Sequence, residues 1–188
     1  MKKIVLFLFL SVVFISCQRT QTSTAINEEI KTDSIFVELD TSVIAIIPFD
    51  TIMFSGWWNL KNDVTNAELT QSDLLEIEYI LTKCIIEYNI QQKQRFDEIP
   101  TESPIKDINL FVINLKDYKR QYVVIENSKG EKEIWINCLC NEFCDRFSDR
   151  DSWQKSVGII LDGGNCFFQL KINLTQKKYY DFYVNGYA

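Results

Sequence analysis

The stretch YKRQYVVIENSKGEKEIWINCLC, residues 118–140, decides the fold, because it has the pattern of two strands joined by a tight turn. Side-chain character changes with a period of two over residues 120–126 and again over 133–140, as in strands of a sheet. Between them lies Asn127-Ser128-Lys129-Gly130, whose residue types favour a turn. The stretch therefore predicts an antiparallel hairpin.

The same period of two continues through the C-terminal half of the chain, with turn sequences such as Asp162-Gly163-Gly164-Asn165 between the runs. A shorter β-branched run, ended by Pro48, lies before residue 50. Besides the hairpin, the predicted strands are residues 43–47, 108–115, 156–161, 165–174 and 179–184.

One long amphipathic helix is predicted to start after Thr70 and to run to about residue 92. Thr70 is a favourable N-cap, and Asp73 stands where a carboxylate complements the helix dipole. Apolar residues recur at steps of three and four, at Leu74, Ile77, Leu81, Cys84 and Tyr88. A long helix followed by a meander predicts an α+β domain, with the helix packed on a curved antiparallel sheet of five to six strands. This layout resembles cystatin-like folds.

The N-terminus has the features of an export signal. Lys2 and Lys3 precede an apolar run over residues 4–15, which is shorter than the roughly 20 residues that span a bilayer. The run ends in FISC, and Ser16-Cys17 resembles the lipobox of bacterial lipoproteins. That resemblance implies acylation of Cys17, which becomes the first residue of the mature protein. An ordinary secretory signal with a chance cysteine is the alternative.

The predicted organisation follows from this signal. Residues 1–16 form the lipoprotein signal peptide, residues 17–33 form the lipid anchor and a polar flexible tether, and residues 34–188 form a single α+β domain. Surface-displayed lipoproteins of some Gram-negative groups carry acidic residues just after the cysteine, whereas this chain has QRTQ there. We therefore expect an outer-membrane lipoprotein that faces the periplasm.

Composition excludes several functions. The chain has no histidine, which removes Ser-His-Asp catalysis, Cys-His catalysis and His-ligated zinc. It has 20 basic and 26 acidic residues, and loss of the signal peptide removes two of the basic ones. Such an acidic domain is a poor nucleic-acid binder, because phosphate neutralisation needs clustered basic residues. We expect no cofactor, and the sequence offers no catalytic residue.

The cysteines are the next candidates for chemistry. Alternation along the strands places Cys138, Cys140 and Cys166 on the core face, where Cys84 of the helix also points, and leaves Cys144 in a loop. In an oxidising periplasm this predicts a disulfide between Cys166 and either Cys138 or Cys140. Two alternatives stay open, namely buried thiols that pack as small apolar groups, and a zinc site that uses the Cys140-x3-Cys144 spacing.

Aromatic residues predict a binding face on the other side of the sheet. Tyrosine and tryptophan are favoured at contact surfaces because they bury large areas and keep a polar group. The alternative is that the N-terminal strand or Trp57-Trp58 covers this face. The predicted binding-face residues are Trp135, Phe167, Tyr179, Tyr183 and Tyr187.

The hairpin stretch, Trp153, DGGNCFFQLKINL at 162–174 and the ending VNGYA are similar to an uncharacterised family of small exported bacterial proteins. The resemblance extends from about residue 70 to the end and implies export, but no activity. We therefore expect a non-catalytic envelope lipoprotein that binds a protein or a small ligand through its sheet. The alternatives are an envelope carbohydrate- or peptide-acting hydrolase that uses carboxylates, and a metal-binding protein that uses its cysteines.

Overall fold

A computed structural model describes residues 39–50, 64–146, 152–158 and 160–186 of the 188-residue chain. The predicted signal peptide and tether, Cys17, Trp57-Trp58 and Tyr187 lie outside these ranges. The described part contains six strands and two α-helices: β1 Ile44–Ile47, β2 Thr65–Asn66, α1 Gln71–Asp97, β3 Tyr118–Glu126, β4 Lys132–Cys140, α2 Asn141–Arg146, β5 Phe167–Asn173 and β6 Lys178–Val184.

The hairpin predicted from residues 118–140 is present as β3 and β4. The two strands pair antiparallel, from Tyr118 opposite Cys140 to Glu126 opposite Lys132. In the turn, Asn127 accepts hydrogen bonds from the backbone N–H groups of Lys129 (2.9 Å) and Glu131 (3.1 Å) through its side-chain oxygen. Gly130 adopts a φ of +73°, which a residue without a Cβ reaches at little cost.

The α+β class is confirmed, and the sheet is open, with strand order β1-β3-β4-β5-β6. β2 pairs with the far end of β3. The sheet is mixed rather than wholly antiparallel, because β1 runs parallel to β3, with Ile44 opposite Arg120 and Ile47 opposite Val123. Parallel neighbours need a long crossover connection, and the segment that contains α1 supplies it.

Helix α1 begins where the sequence predicts. The Thr70 side chain accepts a hydrogen bond from the Asp73 N–H (3.1 Å), and the Asp73 carboxylate accepts one from the Thr70 N–H (2.9 Å). This reciprocal capping box satisfies two N–H groups that have no partner inside the helix. The helix ends at Asp97, beyond the predicted end near residue 92.

Two predicted strands are wrong. The 108–115 segment contains a 3₁₀ turn at Ile108–Leu110, and a second turn begins at Leu115. Asp107 and Asn114 start these turns by accepting hydrogen bonds from backbone N–H groups two residues ahead, so the backbone turns before it can pair with a strand. The described residues of 156–161 are not in a strand either, and the Ser156 N–H donates to the Ser152 carbonyl instead (3.0 Å).

Both faces of the sheet are largely buried. On the helix face, Ile77, Leu81 and Cys84 of α1 pack against Tyr122, Ile136, Leu170 and their neighbours. We call the opposite side the outer face, and its apolar cluster contains Ala45, Ile47, Val123, Ile125, Trp135, Leu139, Cys144, Trp153 and Phe167. Alternate residues of the strands therefore pack into two apolar cores, one on each face of the sheet.

An ion pair is buried between α1 and β3, within the helix-face core. Arg120 Nη1 lies 3.4 Å from Glu78 Oε2, and only 7% of Arg120 and 4% of Glu78 is exposed. The Tyr122 hydroxyl donates to Glu78 Oε1, and Arg120 Nη2 donates to the Leu115 carbonyl (3.1 Å). Burial, followed by the nearby charge of Glu78, raises the pKa of Tyr122 well above its usual range, so this hydroxyl keeps its proton.

Candidate ligand-binding site

The outer face holds a cavity of about 330 Å³ over β4, β5 and β6, which we call the outer-face cavity. Small-molecule sites in proteins commonly occupy roughly 300–1,000 Å³, with apolar walls and a few polar groups. Its lining includes Trp135, Asn137, Leu139, Gly158, Ile160, Phe167, Gln169, Lys171, Asp181, Tyr183 and Asn185.

Three of the five predicted binding-face residues meet at this cavity. Trp135 and Phe167 are 4% and 6% exposed, so they form its wall rather than a free surface, while Tyr183 is 54% exposed. The cover that the structure describes comes from α2 and the turn at Ser152–Gln154, since Cys144 and Trp153 belong to the outer-face cluster. β1 lies beside β3 in the sheet instead of over this face.

The position of Phe167 depends on the turn that precedes β5. Gly163 adopts a φ of +86°, and a Cβ at this position would lie 2.6 Å from the Phe167 ring. On its other side the Phe167 ring meets Phe143 edge-on, with ring centroids 4.8 Å apart. A glycine at 163 is therefore required both by the backbone and by the aromatic wall.

Tyr179 does not lie with Tyr183, although the predicted alternation places them together. The β5–β6 ladder shifts register between Gln169 and Lys171, and Asp181 adopts a φ of +50°. This β-bulge moves Tyr179 to the helix face, where its hydroxyl donates to Glu87 Oε2 (2.6 Å). That hydrogen bond raises the pKa of Tyr179 above its usual range.

The bulge also creates an ion pair that sequence reasoning missed. Lys171 Nζ lies 2.9 Å from Asp181 Oδ2, and both residues line the cavity. Lys171 also stands 5.7 Å from the centre of the Tyr180 ring. Lys171 is opposite Trp135 in the ladder, so strand alternation alone places it on the outer face, but the position of Asp181 depends on the extra residue of the bulge.

A buried chain of side-chain amides leads into the cavity. Gln121, with no exposed surface, donates through Nε2 to the carbonyl oxygens of Trp153 and Ser156 (2.9 Å for the latter). Gln121 Oε1 accepts a hydrogen bond from Asn137 Nδ2 (2.8 Å). Asn137 Oδ1 has no hydrogen-bond partner among the described residues, and it keeps contact with the cavity that Asn137 lines.

A second amide is held in a similar way. The indole N–H of Trp135 donates to Gln169 Oε1 (3.0 Å). Gln169 Nε2 makes no hydrogen bond with the part of the chain that the structure describes, and Gln169 also lines the cavity. Asn137 and Gln169 are directly opposite each other in the β4–β5 ladder.

The predicted disulfide is present, between Cys140 at the end of β4 and Cys166 just before β5, with Cα atoms 4.9 Å apart. Cys138 and Cys84 are free thiols in the helix-face core. Cys144 is buried in α2, not in a loop as predicted. Burial raises the pKa of Cys84 to about 12 and that of Cys144 to about 11, so both thiols stay protonated at neutral pH.

Metal ligands do not assemble in the described ranges, where no group of three or more cysteine, aspartate or glutamate side chains could hold an ion. No helix within those ranges is long and apolar enough to cross a membrane. The chain matches no protein-family model, no curated protein and no solved structure.

Proposed function

We propose that this chain is a lipid-anchored protein of the cell envelope that binds a small ligand in the outer-face cavity without catalysing a reaction. The observation that carries the proposal is the meeting of Trp135, Phe167 and Tyr183 with three side-chain amides and an ion pair around one cavity of about 330 Å³. Large apolar contact area combined with a few oriented polar groups is the usual composition of a small-molecule site.

The sequence supports anchoring in the envelope. Lys2 and Lys3, the apolar run and Ser16-Cys17 have the order of a lipoprotein signal, and acylation of Cys17 would attach the chain to the membrane. An outer-membrane location on the periplasmic side is our proposal. The Cys140–Cys166 disulfide is compatible with that oxidising compartment.

Binding is favoured over hydrolysis by the groups around the cavity. Carboxylate-based glycoside hydrolysis needs two carboxyl groups on either side of the scissile bond. Among the described residues that line the cavity, Asp181 is the one carboxylate, and it forms an ion pair with Lys171. The absence of histidine from the sequence removes the commonest alternative base.

The anchor can be tested by metabolic labelling with radioactive palmitate in a bacterial host. We expect the wild-type chain to incorporate label and Cys17→Ser to lose it, because serine carries no thiol to be acylated. Ser16→Ala is the matched control, since it keeps a small residue before the cysteine and should retain the label. Equal labelling of the wild type and Cys17→Ser would contradict the proposed anchor.

The ligand can be tested by native mass spectrometry of the full chain, extracted from the envelope without reductant. We expect a small organic adduct on the wild type and about fivefold weaker binding of it by Tyr183→Ala, which loses an aromatic contact worth about 1 kcal/mol. Tyr79→Ala is the control, because Tyr79 is an exposed tyrosine of α1. An adduct that Tyr183→Ala retains in full would refute binding at this cavity.

A further inference from the structure

The orientation of Asn137 in the outer-face cavity is set by atoms outside the cavity. Backbone carbonyls only accept hydrogen bonds, so Gln121 must offer its NH₂ group to Trp153 and Ser156. Its remaining oxygen can only accept, so Asn137 must donate to it through Nδ2. Asn137 therefore presents its Oδ1 to the cavity as an acceptor, from a residue that is only 8% exposed.

The amide of Gln169 is oriented the opposite way to that of Asn137. An indole N–H can only donate, so the Gln169 oxygen is occupied by Trp135 and the Gln169 NH₂ group is left for the cavity. A donor thus stands beside an acceptor, because Asn137 and Gln169 are opposite each other on the same face of β4 and β5. Side chains at such positions start about 4.5–5.5 Å apart.

A donor and an acceptor that stand side by side restrict the chemical class of the ligand. Lys171 and Asp181 form an ion pair at 2.9 Å, so the described residues of the cavity lining carry no net charge that would favour a simple anion or cation. A trans secondary amide points its N–H and C=O in opposite directions and cannot meet a donor and an acceptor that stand side by side. Two neighbouring hydroxyl groups can, because each hydroxyl both donates and accepts.

We infer that the outer-face cavity binds a carbohydrate through two adjacent hydroxyl groups, an inference that rests on the proposed function. One hydroxyl donates to Asn137 Oδ1, and its neighbour accepts from Gln169 Nε2. Tyr183, the exposed aromatic residue of the lining, offers an apolar surface to the C–H groups of the sugar ring. The Asn137 oxygen, which faces the cavity, thereby gains a hydrogen-bond partner that the described residues do not supply.

The inference can be tested by fluorine NMR on the full chain in detergent micelles, with 5-fluorotryptophan in place of its four tryptophans. The Trp135 resonance is assigned with Trp135→Phe. The probes are the methyl glycosides of glucose, galactose and mannose at millimolar concentrations. We expect at least one glycoside to shift the Trp135 resonance saturably, and its 2-deoxy or 3-deoxy analogue to bind at least tenfold more weakly.

A matched pair of variants locates the binding site. Gln169→Glu still accepts from the Trp135 indole but replaces the donor by an acceptor, so we expect at least tenfold weaker glycoside binding. Gln91→Glu makes the same change of charge at an exposed position of α1 and should leave binding unchanged. Glycoside binding that Gln169→Glu does not weaken would overturn the assignment of these two amides.

A primary-amide probe separates failure of this inference from failure of the proposed function. Acetamide presents a donor and an acceptor side by side, as a diol does. If acetamide shifts the Trp135 resonance and no glycoside does, the cavity binds a ligand but the carbohydrate class is wrong. If neither shifts it and the isolated chain carries no adduct, both proposals are overturned.

Discussion

Glu78→Ala is expected to lower the free energy of unfolding by about 3–5 kcal/mol, the cost of leaving a buried charge without its partner. Glu78 accepts from the Tyr122 hydroxyl and pairs with Arg120, and all three side chains lie inside the helix-face core. Removal of the carboxylate leaves the buried Arg120 cation without its ion-pair partner and the Tyr122 hydroxyl without this acceptor. Urea denaturation of the oxidised chain measures the loss.

A double substitution separates the cost of the unpaired charge from the cost of the lost packing. Adding Arg120→Met to Glu78→Ala removes the unpaired cation. We expect this second change to recover about 1 kcal/mol or more of the free energy of unfolding, since apolar replacements of buried pairs are often well tolerated. Glu76→Ala is the control, because Glu76 pairs with Lys177 at the surface (2.8 Å) and should cost less than about 1 kcal/mol. Equal losses for Glu76→Ala and Glu78→Ala would contradict the importance of the buried pair.

The second large effect concerns the Cys140–Cys166 disulfide. The two cysteines are 26 positions apart, and the loop-closure entropy for such a separation corresponds to about 3.5 kcal/mol of stabilisation. We expect the double variant Cys140→Ala, Cys166→Ala to lose roughly this amount. Changing both residues avoids a new pairing of a remaining partner with the nearby Cys138.

Reductant provides the control for the disulfide. Wild-type protein should fall to nearly the stability of the double variant in dithiothreitol, while the double variant should not respond to it. The midpoint of urea unfolding, with and without reductant, gives both comparisons. If reductant leaves the wild-type midpoint unchanged, the disulfide does not stabilise the folded state.

The fold could be predicted from sequence where local chemistry decides it. The hairpin between β3 and β4 depends on its own turn, and the start of α1 depends on Thr70 and Asp73, three residues apart. The parallel pairing of β1 with β3 could not be predicted, because it depends on where the chain returns after α1. The period of two at 108–115 does not produce a strand, because Asp107 and Asn114 accept hydrogen bonds from backbone N–H groups two residues ahead.

The candidate site was only partly predictable for a related reason. Strand alternation was enough to bring Trp135, Phe167 and Tyr183 to one face, since each lies in or beside a regular ladder. Strand alternation predicts the wrong face for Tyr179, because the β-bulge adds one residue between Tyr179 and Tyr183. The amide chain could not be read from the sequence at all, since Gln121 is oriented by carbonyls that lie 32 and 35 residues away.

The bulge in β6 also affects how identical copies of the chain can meet. Within the described sheet β6 is the last strand, and a regular outermost strand offers a row of backbone groups to any identical copy nearby. The left-handed residue Asp181 interrupts that row and twists it away. If lipid holds many copies side by side, the irregularity that brings a carboxylate to the cavity also keeps neighbouring molecules from joining edge to edge into aggregates.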